Sequence, residues 1–327
     1  MPALRLPAVD RHPARQNLTL KTGVVSLDTA SVTANIGAMT AASPPASDRS
    51  LTGSTTNVST LAGLLALQRP LVMGILNVTP DSFSDGGAFL SPDAALAHAE
   101  QMIAEGADII DIGGESTRPS ADRAAVSAEE ELRRLELVLP AAVRMGRPVS
   151  IDTMKAMIAA WALDRGAAIV NDVWGLQRDP EMAGVVARYR APVIVMHNRD
   201  VVDPLIDIMA DIAAFFERSL AIAARAGIPR DFIVLDPGIG FGKTAEQSMM
   251  AIARLDRLQT FGLPLLVGAS RKRLINAVAP TPPLQRLGGS LAAHILAIEH
   301  GATIIRAHDV AATVQALRVM TAIEATA

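Results

Sequence analysis

From Leu71 onward, short apolar runs alternate with Ala-rich amphipathic stretches eight times over, and no other feature restricts the fold as much. The apolar runs cover 71–76, 108–112, 148–151, 168–171, 192–196, 232–235, 264–267 and 303–306. Stretches with helical character follow at 92–105, 128–145, 155–165, 180–189, 205–226, 245–261, 284–300 and 311–323. Strands alternating with helices imply right-handed crossovers and a parallel sheet. Runs that are apolar throughout fit a sheet covered on both faces. The repeat spans residues 71–324, close to the ~250 residues of a (β/α)₈ barrel. The expected fold is therefore α/β, a (β/α)₈ TIM barrel over 70–327; a doubly wound open sheet is the alternative.

Residues 1–69 read differently. The stretch 41–60 is rich in Ser, Thr, Pro and Ala and has no aromatic residue, as a linker would be. The expectation is a flexible N-terminal extension ending at residue 69. Composition excludes several function classes. The net charge is -3 and no basic block stands out, which argues against a nucleic-acid partner. There is no cysteine, hence no disulfide, thiol nucleophile or Cys-ligated zinc. No apolar run reaches the roughly 18 residues of a membrane span.

In such a barrel, ligands bind at the C-terminal ends of the strands. The residues just after the eight runs are Asn77; the segment GGESTRPSA; Asp152; Asn171–Asp172; Met196–His197–Asn198; Asp236; Ser270–Arg271–Lys272; and Arg306–Ala307–His308–Asp309. One Asp or Asn there would be read as a cap or a turn. Lys272, Arg306 and His308 exceed what capping requires. With Arg118 from the second loop they imply an anionic, phosphorylated ligand, held by donors that could be removed without loss of the fold. Asp152, Asn171 and Asp236 can face the N–H edge of a nitrogen heterocycle. Lys272 is expected beside Asp236, keeping it ionised. Mg²⁺, held mainly by phosphate oxygens and by Asn77, fits better than a His–carboxylate metal site. The segment DPGIGFGK at 236–243 lacks the spacing of a nucleotide loop.

These residues lie in five ordered segments: MGILNVTPDSFSDGG (73–87), DIGGESTRP (111–119), LDPGIGFGK (235–243), GASRK (268–272) and IIRAHDV (304–310). The sequence here resembles the dihydropteroate synthase family, from residue 71 to about 320. The resemblance implies condensation of p-aminobenzoate with 6-hydroxymethyl-7,8-dihydropterin diphosphate, Mg²⁺ dependence, a homodimer and sulfonamide sensitivity; a cytoplasmic location is expected. It places Asp152, Asn171, Met196, Asp236 and Lys272 around the pterin, and Asn77, Arg306 and His308 on the diphosphate and Mg²⁺. It places Phe83, Thr117, Pro119, Ser270 and Lys272 around p-aminobenzoate. Asp85 and Arg118 would close over the diphosphate, and with Lys272 they are the implied catalytic residues. The sequence departs from the family pattern at Ser120 and at Asn198–Arg199–Asp200. A methyltetrahydrofolate methyltransferase would share the pterin pocket but would not need Arg118, Lys272 or the Arg306–His308 pair. A non-catalytic pterin-binding paralogue should have lost such residues.

Overall fold

The computed structural model describes residues 60–79, 91–115 and 126–326. The chain divides into two units, Met1–Gly53 and Ser54–Ala327. The first lies outside the described residues; the second carries every element of the barrel.

Eight strands form one sheet: β1 (Leu71–Asn77), β2 (Ile109–Gly113), β3 (Val149–Asp152), β4 (Ile169–Asp172), β5 (Val193–Met196), β6 (Ile233–Asp236), β7 (Leu266–Val267) and β8 (Ile304–Ala307). Their order is β6-β5-β4-β3-β2-β1-β8-β7 and every pairing is parallel. A parallel bridge between Leu235 and Leu265 joins the two ends, so the sheet closes into a barrel. Each strand lies within two residues of its expected position.

The helices surround it: α1 (Leu61–Leu65), α2 (Pro92–Ala104), α3 (Ala128–Leu135), α4 (Leu139–Val143), α5 (Ala156–Asp164), α6 (Met182–Tyr189), α7 (Ile208–Ala226), α8 (Ala245–Ala253), α9 (Arg273–Val278), α10 (Leu287–Glu299) and α11 (Val310–Glu324). Local chemistry sets their ends. The Ser91 and Ser127 hydroxyls accept the N–H groups of Ala94 and Glu130, and Thr244 with Gln247 forms a capping box. Three expected helices are less regular than their periodicity suggests. The stretch 128–145 breaks into α3 and α4, with Pro140 in the first turn of α4. The stretch 245–261 ends as a 3₁₀ segment, Leu255–Phe261, and 284–300 opens on a 3₁₀ turn, Pro283–Gln285.

Alternate strand residues face the barrel interior. Its lower layer contains Leu71, Met73, Ile109, Ile169, Ile194, Val234, Leu266 and Ile304, all buried. Leu61 and Leu64 of α1 belong to the same cluster, so α1 plugs the N-terminal end. Arg69 makes two hydrogen bonds to Asp108, at 3.0 and 2.6 Å, and Asp108 also accepts the Val72 N–H. The extension expected over 1–69 is therefore corrected at its end. Residues 60–69 form the barrel floor, because two leucines at helical spacing find the apolar lower layer uncovered.

Candidate active site at the barrel mouth

Two residues beyond four of these lower-layer positions, the inward face turns polar. Asp111 follows Ile109, Asn171 follows Ile169, Asp236 follows Val234 and Arg306 follows Ile304; Asp152 occupies the corresponding place on β3, and Met196 that on β5. Parallel register sets Met196 beside Asp236, and Asp152 beside Asn171 and Gly113, with Asp111 one inward position below Asp152 and Arg306 one below Asp111. Asp111, Asp152, Asn171, Met196 and Asp236 are all buried.

Arg306 spans this ring. Its Nε donates to Asp111 Oδ2 at 2.6 Å and its Nη2 to Asp152 Oδ2 at 2.7 Å. Asn171 Nδ2 donates to the same Asp111 oxygen at 3.2 Å. Arg306 is thus not a donor turned only toward a ligand. It braces β8 to β2 and β3, which corrects the expectation that it could be removed without consequence for the fold. Burial raises the Asp152 carboxyl above the ordinary range, against the pull of Arg306 and with Asp111 adding to the rise. The paired carboxylates hold the Arg306 guanidinium firmly protonated.

Asp236 Oδ1 accepts the Gly238 N–H at 2.7 Å. Burial nevertheless raises its carboxyl, with the Gly238 amide, Lys272 and Arg306 pulling the other way. Lys272 thus favours the ionised carboxylate, as expected, but desolvation is the larger influence. Lys272 Nζ donates to Ile239 O and stands 4.3 Å from the Phe241 ring centroid. Ser270 Oγ lies 3.0 Å from His308 Nδ1 and accepts the His308 N–H at 3.2 Å, so the loops after β7 and β8 position one another. Asn77 ends β1, half-buried, beside Gly113.

The structure thus brings Asp152, Asn171, Met196, Asp236, Lys272, Ser270, Arg306, His308 and Asn77 to one end of the barrel. Phe83, Asp85, Thr117, Arg118, Pro119 and Ser120 lie outside the described residues. Asp172, adjacent to Asn171, instead points away from the mouth and caps its own turn, accepting the N–H groups of Trp174 and Leu176. In the divergent segment, Arg199 pairs with Asp211 and Asp200 with Arg178. Sequence reading missed Asp111, which sits inside the second apolar run. The inward alternation from Ile109 is the signal that finds it.

Three acceptor atoms here, Asp111 Oδ1, Asp152 Oδ1 and Asn171 Oδ1, are buried and have no hydrogen-bond partner among the described residues. Such atoms are uncommon in folded proteins and call for an occupant. A ligand that presents several N–H groups satisfies them.

The model of the pterin binding enzyme family matches residues 73–308, most of the barrel. The chain belongs to that family. Among its members, the dihydropteroate synthase of Bacillus subtilis is 46% identical over 244 residues, covering 74% of this chain and 85% of the relative. The structure resembles that of Xanthomonas albilineans dihydropteroate synthase in complex with 7,8-dihydropteroate, with TM-score 0.72 and 43% identity over 79% of this chain and 95% of the other. It also resembles Yersinia pestis dihydropteroate synthase in a sulfonamide drug complex, with TM-score 0.75 and 43% identity over 79% and 96%. The five segments that carried the sequence resemblance fall inside or at the edge of the family match.

Proposed function

We propose that this pterin-binding family member is a dihydropteroate synthase, condensing 6-hydroxymethyl-7,8-dihydropterin diphosphate with p-aminobenzoate to give 7,8-dihydropteroate and diphosphate. The carrying observation is the row of partnerless buried acceptors on β2, β3 and β4. An aminopyrimidine edge offers the N–H groups they lack. Asp236 and Lys272 complete the pterin seat, and Met196 supplies an apolar contact.

In the reaction, the bond between the pterin methylene carbon and the diphosphate oxygen breaks. The methylene carbon becomes cation-like, the amine of p-aminobenzoate attacks it, and the new C–N bond forms with loss of a proton. No side-chain nucleophile is required. Arg306 and His308 meet the departing diphosphate, and the family resemblance assigns Asp85 and Arg118 to the same group. Arg306 keeps Nη1 for this purpose, since the brace uses Nε and Nη2. Ser270, with Phe83, Thr117 and Pro119, receives p-aminobenzoate. The protein's contribution is positioning and charge stabilisation.

Among the described residues, no group of three or more His, Cys, Asp or Glu is arranged to hold a metal ion. Asn77 offers one hard oxygen at a strand end, which suits Mg²⁺ bound chiefly by diphosphate. When bound, the ion would offset charge on the leaving group. A homodimer is supported by exposed apolar residues on neighbouring elements: Met250 on α8, Leu287 and Leu296 on α10, and Val319 and Ile323 on α11. A cytoplasmic location belongs to the same reading; no described helix is long and apolar enough to cross a membrane.

Purified protein should turn the pterin diphosphate and p-aminobenzoate into 7,8-dihydropteroate with release of diphosphate. Release without formation of that product, or no release at all, would overturn the assignment.

A further inference from the structure

Segment 237–243, between β6 and α8, presses against the end of β5. A Cβ on Gly238 would run into the His197 carbonyl oxygen, and one on Gly242 into Arg199. Both glycines have positive φ, 66° and 55°. Lys243 stands where these two backbones touch, and it is buried. Its Nζ lies 2.6 Å from His197 Nδ1, 2.9 Å from Gly238 O and 3.1 Å from Phe241 O. An ammonium has three N–H donors and no acceptor, so these three partners use all of it. Burial lowers Lys243 to about 7, with Asp236 the main opposing charge; as the ammonium it leaves His197 Nδ1 to accept, and the ring proton on Nε2 is donated to Asp211 Oδ2 at 2.9 Å. Asp211, on α7, is also paired with Arg199 at 2.9 Å. Burial, then the Lys243 charge, lowers His197 to about 3, in keeping with a neutral ring.

This cluster reaches the mouth through the other members of the segment. Asp236 precedes it and accepts the Gly238 N–H. Ile239 O accepts from Lys272, and the Phe241 ring lies against the same ammonium. Phe241 also packs with Val173 and Met196. We propose that Lys243, acting with His197 and Asp211, is a positioning residue for pterin binding: it holds segment 237–243 by two carbonyls and thereby sets Asp236 and Lys272. This rests on the reading that Asp236 and Lys272 bind the pterin.

Lys243→Met keeps the length of the side chain and removes its charge and donors. The KM for the pterin diphosphate should rise roughly 10- to 100-fold, the scale of effect of a displacement of about 1 Å, and by clearly more than the KM for p-aminobenzoate, which the segment reaches through Lys272 but not through Asp236. Nitrogen-15 NMR should show His197 as the Nε2–H tautomer in the wild type. In Lys243→Met the ring should titrate closer to neutral pH, because Asp211 still faces it and, of the nearby cations, only Arg199 and the more distant Lys272 remain, with Asp236 on the mouth side. A merely structural lysine would lower the melting temperature without separating the two KM values or moving the His197 signature. If Lys243→Met does not fold, Asp211→Asn carries the test, with the same direction of change in pterin KM and a mixed His197 tautomer. Unchanged pterin KM and an unchanged His197 spectrum would overturn the proposal. Asp236→Asn, titrated with 6-hydroxymethylpterin by calorimetry, separates the two levels. Wild-type affinity there defeats the pterin reading and this proposal with it. Lost affinity there, with Lys243→Met and Asp211→Asn unaffected, defeats only the positioning role.

Discussion

Single residues at the mouth serve two ends at once, and Arg306 shows it best. Arg306→Ala would leave the Asp111 and Asp152 carboxylates buried without their cation. Breaking a buried pair in this way costs about 3–5 kcal/mol, so the variant should lose stability in a denaturant titration as well as affinity for the diphosphate ester; a wild-type unfolding midpoint would show that the brace carries no weight. His294 on α10 is a different case. It is buried, neither ring nitrogen has a partner among the described residues, and desolvation lowers it to about 4 from 6.5. The unfolded chain therefore takes up this proton first as pH falls. The stability contributed by the neutral ring is present above 6.5 and is lost between 6.5 and about 4, a loss of roughly 3 kcal/mol at about 1.4 per pKa unit. His294→Leu should escape that loss, so its stability advantage over the wild type should widen as pH is lowered through this window. An advantage independent of pH would contradict a neutral buried ring. Asp152, Asn171, Asp236 and Arg306 were legible in the sequence because each ends an apolar run. Asp111 and Lys243 were not: one is enclosed by isoleucines, and the other gains its role only from a fold that carries it against His197.

At the scale of elements, the strands were read almost to the residue, since a closed parallel barrel demands short runs that are apolar on both faces. Helices were read less well where backbone geometry overrides periodicity, as at Pro140. The short helices α1 and α9 are too brief to show a period at all. Segment 237–243 illustrates how far an element depends on glycine. Gly238→Ala would place a Cβ on a left-handed residue, at roughly 1–2 kcal/mol, and drive it into the His197 carbonyl. The variant should unfold at lower denaturant concentration and bind 6-hydroxymethylpterin more weakly. Unaltered behaviour in both measurements would mean that the two backbones can separate freely.

Over the whole molecule, the barrel is stoppered at one end and open at the other. Removing residues 1–59 should leave stability and activity nearly unchanged, since that stretch is poor in aromatics and rich in loop-forming residues. Removing 1–66 should not, because Leu61 and Leu64 would leave the floor. Leu64→Ala alone should cost about 2–5 kcal/mol, read from thermal or denaturant unfolding, and an unaffected midpoint would show that the floor closes without α1. The linker-like composition of 41–60 concealed this boundary, since Leu61 begins the plug directly after it.

The Arg306 brace also limits how the chain can vary. Asp111, Asp152 and Arg306 are joined across the barrel by the same bonds that shape its ligand seat. Replacing any one of them leaves the others miscast, so a lineage cannot drift through this ring one substitution at a time. Its room for change lies at positions that carry no such shared partners.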